Sequence, residues 1–106
     1  MEIHYASNYL KKLCTSEPTA IKKLGARCAR ILIFRVGQMK AAESIEDLIG
    51  APGHFHALSG DRKGQWACRL QGGLRLIFVP GACGEMLLKE IITPALTIIE
   101  IKDYHH

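Results

Sequence analysis

No stretch of this sequence stays apolar long enough to cross a membrane. A spanning helix needs roughly 18 or more such residues, and the run Ile31-Leu32-Ile33-Phe34 is broken at once by Arg35. The first residues, Met1-Glu2-Ile3-His4-Tyr5, lack a basic stretch followed by an apolar one. No secretory signal is therefore expected, and the cytoplasm is the expected location. Cys14, Cys28, Cys68 and Cys83 form no CxxC pair and have no zinc-like spacing with histidine. They are expected to be free thiols acting as small core residues. GxSxG, P-loop and HExxH patterns are missing, and the acidic residues are not grouped to hold magnesium. Neither a metal nor a cofactor is expected. There is no internal repeat and no low-complexity segment.

What is present suits a single domain spanning residues 1–106. Hydrophobic residues make up 48% of the chain, enough for a core. The formal charge is +4, a moderate bias that many small proteins share, so position matters more. Basic residues gather between Lys22 and Lys40, and again between Arg62 and Arg75. The second group lies among expected strands, where a fixed charged surface suits a polyanion.

The alternation in residues 2–6 predicts a strand. Ser7 or Asn8 is placed to cap a short helix to about Leu13. Ser16, followed by Pro18, opens a second helix, which is expected to run to about Ala42. Ile21, Leu24, Cys28, Ile31, Leu32, Val36 and Met39 recur at spacings of three and four, which makes one buried stripe. Gly25 and Gly37 weaken that helix locally. Ser44–Leu48 reads as one helical turn. From His54 onward the period changes to two, with strands expected at about 54–59, 65–71, 74–80 and 96–102. Gly72-Gly73 is a two-residue hairpin signal. The connection 81–95 is irregular, with a helical turn expected around Met86–Ile91. The expected fold is α+β: two layers, helices on one face of a largely antiparallel sheet.

Such a sheet has one face left over, and its polar residues are informative. By parity, Trp66, Cys68 and Leu70 share a face with Leu74, Leu76 and Phe78, which puts Arg69 and Arg75 on the other. Two arginines on neighbouring strands repel unless an anion lies between them, and the guanidinium fork suits phosphate oxygens. The bland alternative is a pair that is solvated or matched with acids. His54 and His56 share parity on the preceding strand. The chain closes on Asp103-Tyr104-His105-His106. Cutting RNA without a metal requires a base for the ribose 2′-hydroxyl, cations around the phosphorus oxygens and an acid for the leaving 5′-oxygen. Histidine serves as base or acid near neutral pH. His56, His105, Asp103, Tyr104, Arg75, and Arg62 or Lys63, supply these roles if the fold gathers them.

Three segments together resemble one family: His56-Ala57-Leu58-Ser59-Gly60-Asp61-Arg62-Lys63-Gly64-Gln65-Trp66, Leu74-Arg75-Leu76-Ile77-Phe78, and Glu100-Ile101-Lys102-Asp103-Tyr104-His105. They look like the RelE/ParE toxin superfamily, with the HigB-type killer proteins of type II toxin–antitoxin systems as the nearest branch. The resemblance covers nearly the whole chain and implies a ribosome-dependent, metal-independent messenger-RNA endonuclease. Such toxins cut in the ribosomal A site through attack by the 2′-hydroxyl, leaving a 2′,3′-cyclic phosphate. By this resemblance His56 matches the histidine before the Gly-Asp-Arg turn. Arg75 matches the phosphate-stabilising arginine. Asp103, Tyr104 and His105 match the terminal Asp-Tyr-His, with His105 or Asp103 as base or acid and Tyr104 stacking on a base or orienting the phosphate. Arg62, Lys63 and Arg69 are the expected RNA-binding cations.

There are departures from the family pattern. Ser59 stands where relatives often carry lysine, Leu74 where they often carry an aromatic residue, and residues 81–95 are unusually apolar. The resemblance also implies a helix-turn-helix antitoxin, operator DNA reached only through it, and no membrane. The basic helix 18–42 is a candidate surface for an acidic antitoxin. Two alternatives share the fold: a ParE-like inhibitor of DNA gyrase, and a catalytically weak toxin acting mainly as an antitoxin-binding co-repressor, toward which Ser59 points.

Overall fold

The computed structural model describes residues 1–81 and 95–104. Serines open the first helices. The Ser7 hydroxyl accepts from the Leu10 N–H at 3.1 Å to cap α1 (Asn8–Thr15). Ser16 accepts from the Thr19 N–H at 3.4 Å to cap α2 (Glu17–Leu24), with Pro18 in the first turn where its missing N–H costs nothing. The helix expected to continue to Ala42 instead stops at Gly25 and restarts as α3 (Ala26–Ala41). Gly25 has φ +87° and ψ 157°, a backbone region open essentially to glycine alone. Its N–H donates to the Ile21 carbonyl at 2.9 Å, closing α2, and its carbonyl accepts from the Ala29 N–H at 3.0 Å, opening α3. Gly37, the other suspected weak point, stays inside α3. A short α4 follows (Ile45–Ile49).

The strands are β1 (Glu2–Tyr5), β2 (His56–Ala57), β3 (Trp66–Arg69), β4 (Leu74–Pro80) and β5 (Ala95–Asp103), in the sheet order β1-β5-β4-β3-β2. β1 runs parallel to β5 and the other pairs are antiparallel. The strand expected over residues 54–59 shrinks to the two residues of β2. Gly53 (φ +117°) and His54 (φ +55°) turn the chain before it, and Gly60–Arg62 wind into a single 3-10 turn after it. The hairpin expected at Gly72-Gly73 forms, but with three residues in its loop rather than two: the Leu70 N–H donates to the Leu74 carbonyl at 3.0 Å, and Gln71, Gly72 and Gly73 lie between them. Of the apolar connection 81–95, residues 82–94 lie outside the described residues, including the helical turn expected there.

The core lies between the two layers. Leu13 of α1, Leu32 and Met39 of α3, and Leu48 of α4 pack with Cys68, Leu76, Phe78, Leu96 and Ile98 of the sheet. Each large apolar side chain buried this way contributes about 1.5–3 kcal/mol relative to exposure. Among the described residues no helix is long and apolar enough to cross a membrane. Among the described residues the architecture is a mixed α+β fold with four α-helices and a five-stranded sheet.

Candidate active site on the open sheet face

Strand register decides which side chains share the face turned from the helices. Arg69 of β3 pairs with Arg75 of β4, and Arg75 pairs with Lys102 of β5. One step along the strands, His56 pairs with Ala67, Ala67 with Ile77, and Ile77 with Glu100. Two cross-strand rows therefore lie side by side: three cations in one, and a histidine and a glutamate at the ends of the other. Tyr104 continues the pattern past the end of β5, its N–H donating to the Gly73 carbonyl at 2.9 Å.

An open depression of about 220 Å³ lies on this face, lined by His56, Leu58, Ala67, Arg75 and Tyr104. His56 is half-buried there. Its Nδ1 lies 2.8 Å from the His54 carbonyl oxygen. A carbonyl can only accept, so Nδ1 carries the proton and donates, and in the neutral ring Nε2 is left with a free lone pair. The left-handed backbone of His54 aims that carbonyl, and the two imidazoles pack with centroids 4.3 Å apart. The turn is braced from behind. Arg35 of α3 donates from Nε to the Arg69 carbonyl at 2.7 Å and from Nη1 to Gln38 Oε1 at 3.1 Å, while Gln38 donates to the Pro52 carbonyl at 2.8 Å. A Cβ on Gly53 would stand 2.7 Å from Arg35 Nε.

Arg75 donates through Nη1 to the carbonyls of Gly72 and Leu74, each at 2.9 Å. These bonds hold the guanidinium at the hairpin end of the depression. Tyr104 is 38% exposed, so its ring is open to a stacking partner, and Lys102 Nζ lies 5.6 Å from its centroid. Arg62 has another role. Its Nη1 donates to Gln65 Oε1 at 2.8 Å and to Glu100 Oε1 at 3.0 Å. The hydrogen bond to Glu100 raises its already high pKa further. The Arg62 side chain therefore reaches from the β2–β3 connection across to β5, and the charge expected to bind RNA is matched with an acid. Lys63 is exposed beside it.

Of the terminal trio, Asp103 and Tyr104 are described, and Tyr104 lines the depression. Asp103 pairs with Leu74, on the parity of the core-facing residues, and is exposed at the strand end. His105 lies outside the described residues. His56, Arg75 and Tyr104, far apart in sequence, are thus brought together, with Arg69 in the adjoining row. The sequence reasoning missed Lys102 and Glu100, although the alternation Glu100-Lys102-Tyr104 was the available signal. It also missed His54 as the group that sets the tautomer of His56; that role depends on a backbone angle. The described site has a proton acceptor, cations for a phosphate and a phenol, all opening to solvent.

No protein-family model matches the sequence, and no curated protein matches it either. Among solved structures the chain is similar to the YoeB/ParE toxin from Agrobacterium tumefaciens, with a TM-score of 0.64 and 14% sequence identity. The likeness covers 99% of this chain and 100% of that one. At that identity it speaks for the fold, and it reaches from the first strand to the last. The chain has the fold of a RelE/ParE-type toxin.

Proposed function

We propose that the protein is the toxin of a type II toxin–antitoxin system, of HigB type, and acts as a ribosome-dependent endoribonuclease on messenger RNA. The observation that carries this reading is the depression joining His56, with Nε2 left as an acceptor, to Arg75 and Tyr104. In the proposed reaction His56 Nε2 takes the proton of the ribose 2′-hydroxyl. The 2′-oxygen attacks phosphorus and the bond to the 5′-oxygen breaks, giving a 2′,3′-cyclic phosphate and a 5′-hydroxyl. Arg75 donates to the non-bridging oxygens as their charge grows, which is where a preplaced donor is most effective. The departing 5′-oxygen takes a proton from Tyr104 or His105, since the register puts Asp103 on the other parity. Tyr104 stacks on a neighbouring base.

The test is to map transcript 5′ ends on ribosomes with and without the protein. New ends inside coding regions are expected with the wild type. They should fall by about 10²–10³-fold for Arg75→Ala and about 10²–10⁴-fold for His56→Ala. His105→Ala reports whether the terminal histidine takes part. Wild-type expression that halts growth without new ends, while DNA supercoiling changes, would transfer the reading to a gyrase inhibitor. The Arg62–Glu100 pair and Ser59 favour one other outcome, a toxin weak in catalysis that serves chiefly as an antitoxin-bound co-repressor. Wild-type expression with neither growth loss nor cut transcripts would support that outcome. The proposed antitoxin is a helix-turn-helix protein that carries the toxin to operator DNA, and an acidic segment of it suits the basic surfaces of α2 and α3.

A further inference from the structure

The alternating segment 54–59 favours a longer strand than β2, and the register of β2 on β3 shows where it is stopped. His56 pairs with Ala67, so two residues on Leu58 faces Gln65, and two residues back His54 faces Arg69. The Leu58 N–H donates to the Gln65 carbonyl at 2.8 Å. In a regular antiparallel ladder every second pair then exchanges two backbone bonds, and His54 with Arg69 is such a pair. Both Arg69 groups are bonded elsewhere. Its N–H donates to the Gly53 carbonyl at 2.7 Å, one residue early, and its carbonyl accepts from Arg35 Nε of α3 at 2.7 Å. His54 sits at φ +55°, a left-handed conformation that costs a residue with a side chain. Its carbonyl is thereby released from the ladder to His56 Nδ1, 2.8 Å away. Gly53 leaves the room this needs, since a Cβ there would stand 2.7 Å from Arg35 Nε.

We propose that Arg35 is a positioning residue for His56: its Nε stands in for the His54 N–H on the Arg69 carbonyl, ends the β2–β3 ladder there, and keeps the His54 carbonyl available to fix the His56 proton on Nδ1. The inference rests on the endoribonuclease reading, in which Nε2 must be the acceptor. Without Arg35, the N–H in register for the Arg69 carbonyl is that of His54. An extended His54 makes that bond, loses the left-handed strain and lengthens β2. The same change turns the His54 carbonyl into the plane of the sheet toward β3, so His56 Nδ1 loses its acceptor. The proton is then free to sit on Nε2, where the ring cannot take another from a hydroxyl. Arg35 is not among the described residues that line the depression. It acts through one peptide unit of β3 and one carbonyl of the turn.

The test reads the tautomer of His56 from the nitrogen-15 spectrum of the histidine side chains, in the full-length protein at a pH where the rings are neutral. Transcript 5′ ends on ribosomes and affinity for a 2′-O-methyl RNA, which lacks the attacking hydroxyl, are measured alongside. In the wild type the proton is expected on Nδ1. Arg35→Met keeps the length and removes the donor. It should lower the ratio of the Nδ1–H to the Nε2–H form by about 2–10-fold, the weight of one hydrogen bond. Cleavage should fall by a similar factor, with RNA affinity nearly unchanged. Arg35→Gln puts an amide N–H as many bonds from Cα as Nε is, and should restore the wild-type ratio. A residue that served only stability or net charge would leave the tautomer alone in both variants. A wild-type His56 protonated on Nε2 overturns the proposal. So does a folded Arg35→Met protein with the wild-type ratio. If Arg35→Met does not fold, an Nε2–H form in Arg35→Gln overturns it. A tautomer that follows residue 35 in a protein that cuts no transcript upholds the positioning by Arg35 and removes the nuclease reading, so the two failures are distinct.

Discussion

His56 shows how little of a residue's role lies in its own side chain. Its ring would be an ambiguous acid or base without the carbonyl of His54 at 2.8 Å, which selects one tautomer. That carbonyl is aimed by a backbone turn through Gly53 and His54, both at positive φ. Replacing Gly53 by alanine tests this chain of support. Arg35 is long enough to swing from the new methyl, so the main cost is backbone strain at φ +117° together with the lost bond from Arg35 to the Arg69 carbonyl. A loss of about 1–3 kcal/mol is expected in urea unfolding and, on the proposed nuclease reading, a larger fall in transcript cleavage than in RNA binding. Unchanged cleavage would show that the turn does not position His56. At the tautomer itself, His56→Gln keeps a polar side chain but provides no proton acceptor of comparable basicity. It should bind RNA nearly as well as the wild type while cutting at least about 10²-fold more slowly. A variant that retained most of its cleavage rate would remove His56 from the role of base.

At the scale of elements, the break between α2 and α3 is the clearest departure from sequence periodicity. The apolar stripe continues through Gly25, yet the helix does not, because Gly25 adopts φ +87° and serves both helices as a cap. A side chain there is strained whatever the space around it. Gly25→Ala is therefore expected to lower stability by about 1–3 kcal/mol, read as a lower urea midpoint with little change in slope. A gain in stability would mean that the two helices can merge into one. The strands show a different limit. Alternation sets the parity of β3 and β4, but burial does not follow it alone: Cys68, Leu70, Leu76 and Phe78 are buried, and so are Ala67 and Ile77 of the other parity, while Trp66 and Leu74 are only partly so. It overstates β2, where two turns compress an alternating segment to two paired residues.

Across the whole molecule, two thiols and a phenol respond alike to being enclosed. Burial pushes the Cys14 and Cys68 thiols from 9.0 up to about 12, and it also raises the pKa of Tyr5. The folded state holds these protons more tightly than the unfolded chain. The resulting stability is therefore complete below about pH 9 and is lost as pH rises toward 12. Urea unfolding at pH 8 and pH 10.5 should show the loss, and a Cys14→Ala, Cys68→Ala variant should lose less. The reverse order would place ionised thiols in the folded core. Native protein carrying Cys83→Ser should also react with a thiol reagent only as fast as it opens.

Residue types and their order were enough to set the layers, the Ser16 cap, the hairpin at Gly72-Gly73 and the parity that puts Arg69 and Arg75 opposite Cys68, Leu76 and Phe78. These follow from local rules: period, capping and turn chemistry act within a few residues of chain. The family-like motifs also named His56, Arg75 and Tyr104 before any geometry was known. Only the tertiary structure could show that Tyr104 meets His56 and Arg75, that Asp103 falls on the other parity, that Arg62 is matched by Glu100 and that Lys102 completes a row. Each of those depends on register between strands distant in the chain. Register is settled by the packing of the whole sheet on its helices, where a slip of one residue would exchange the faces.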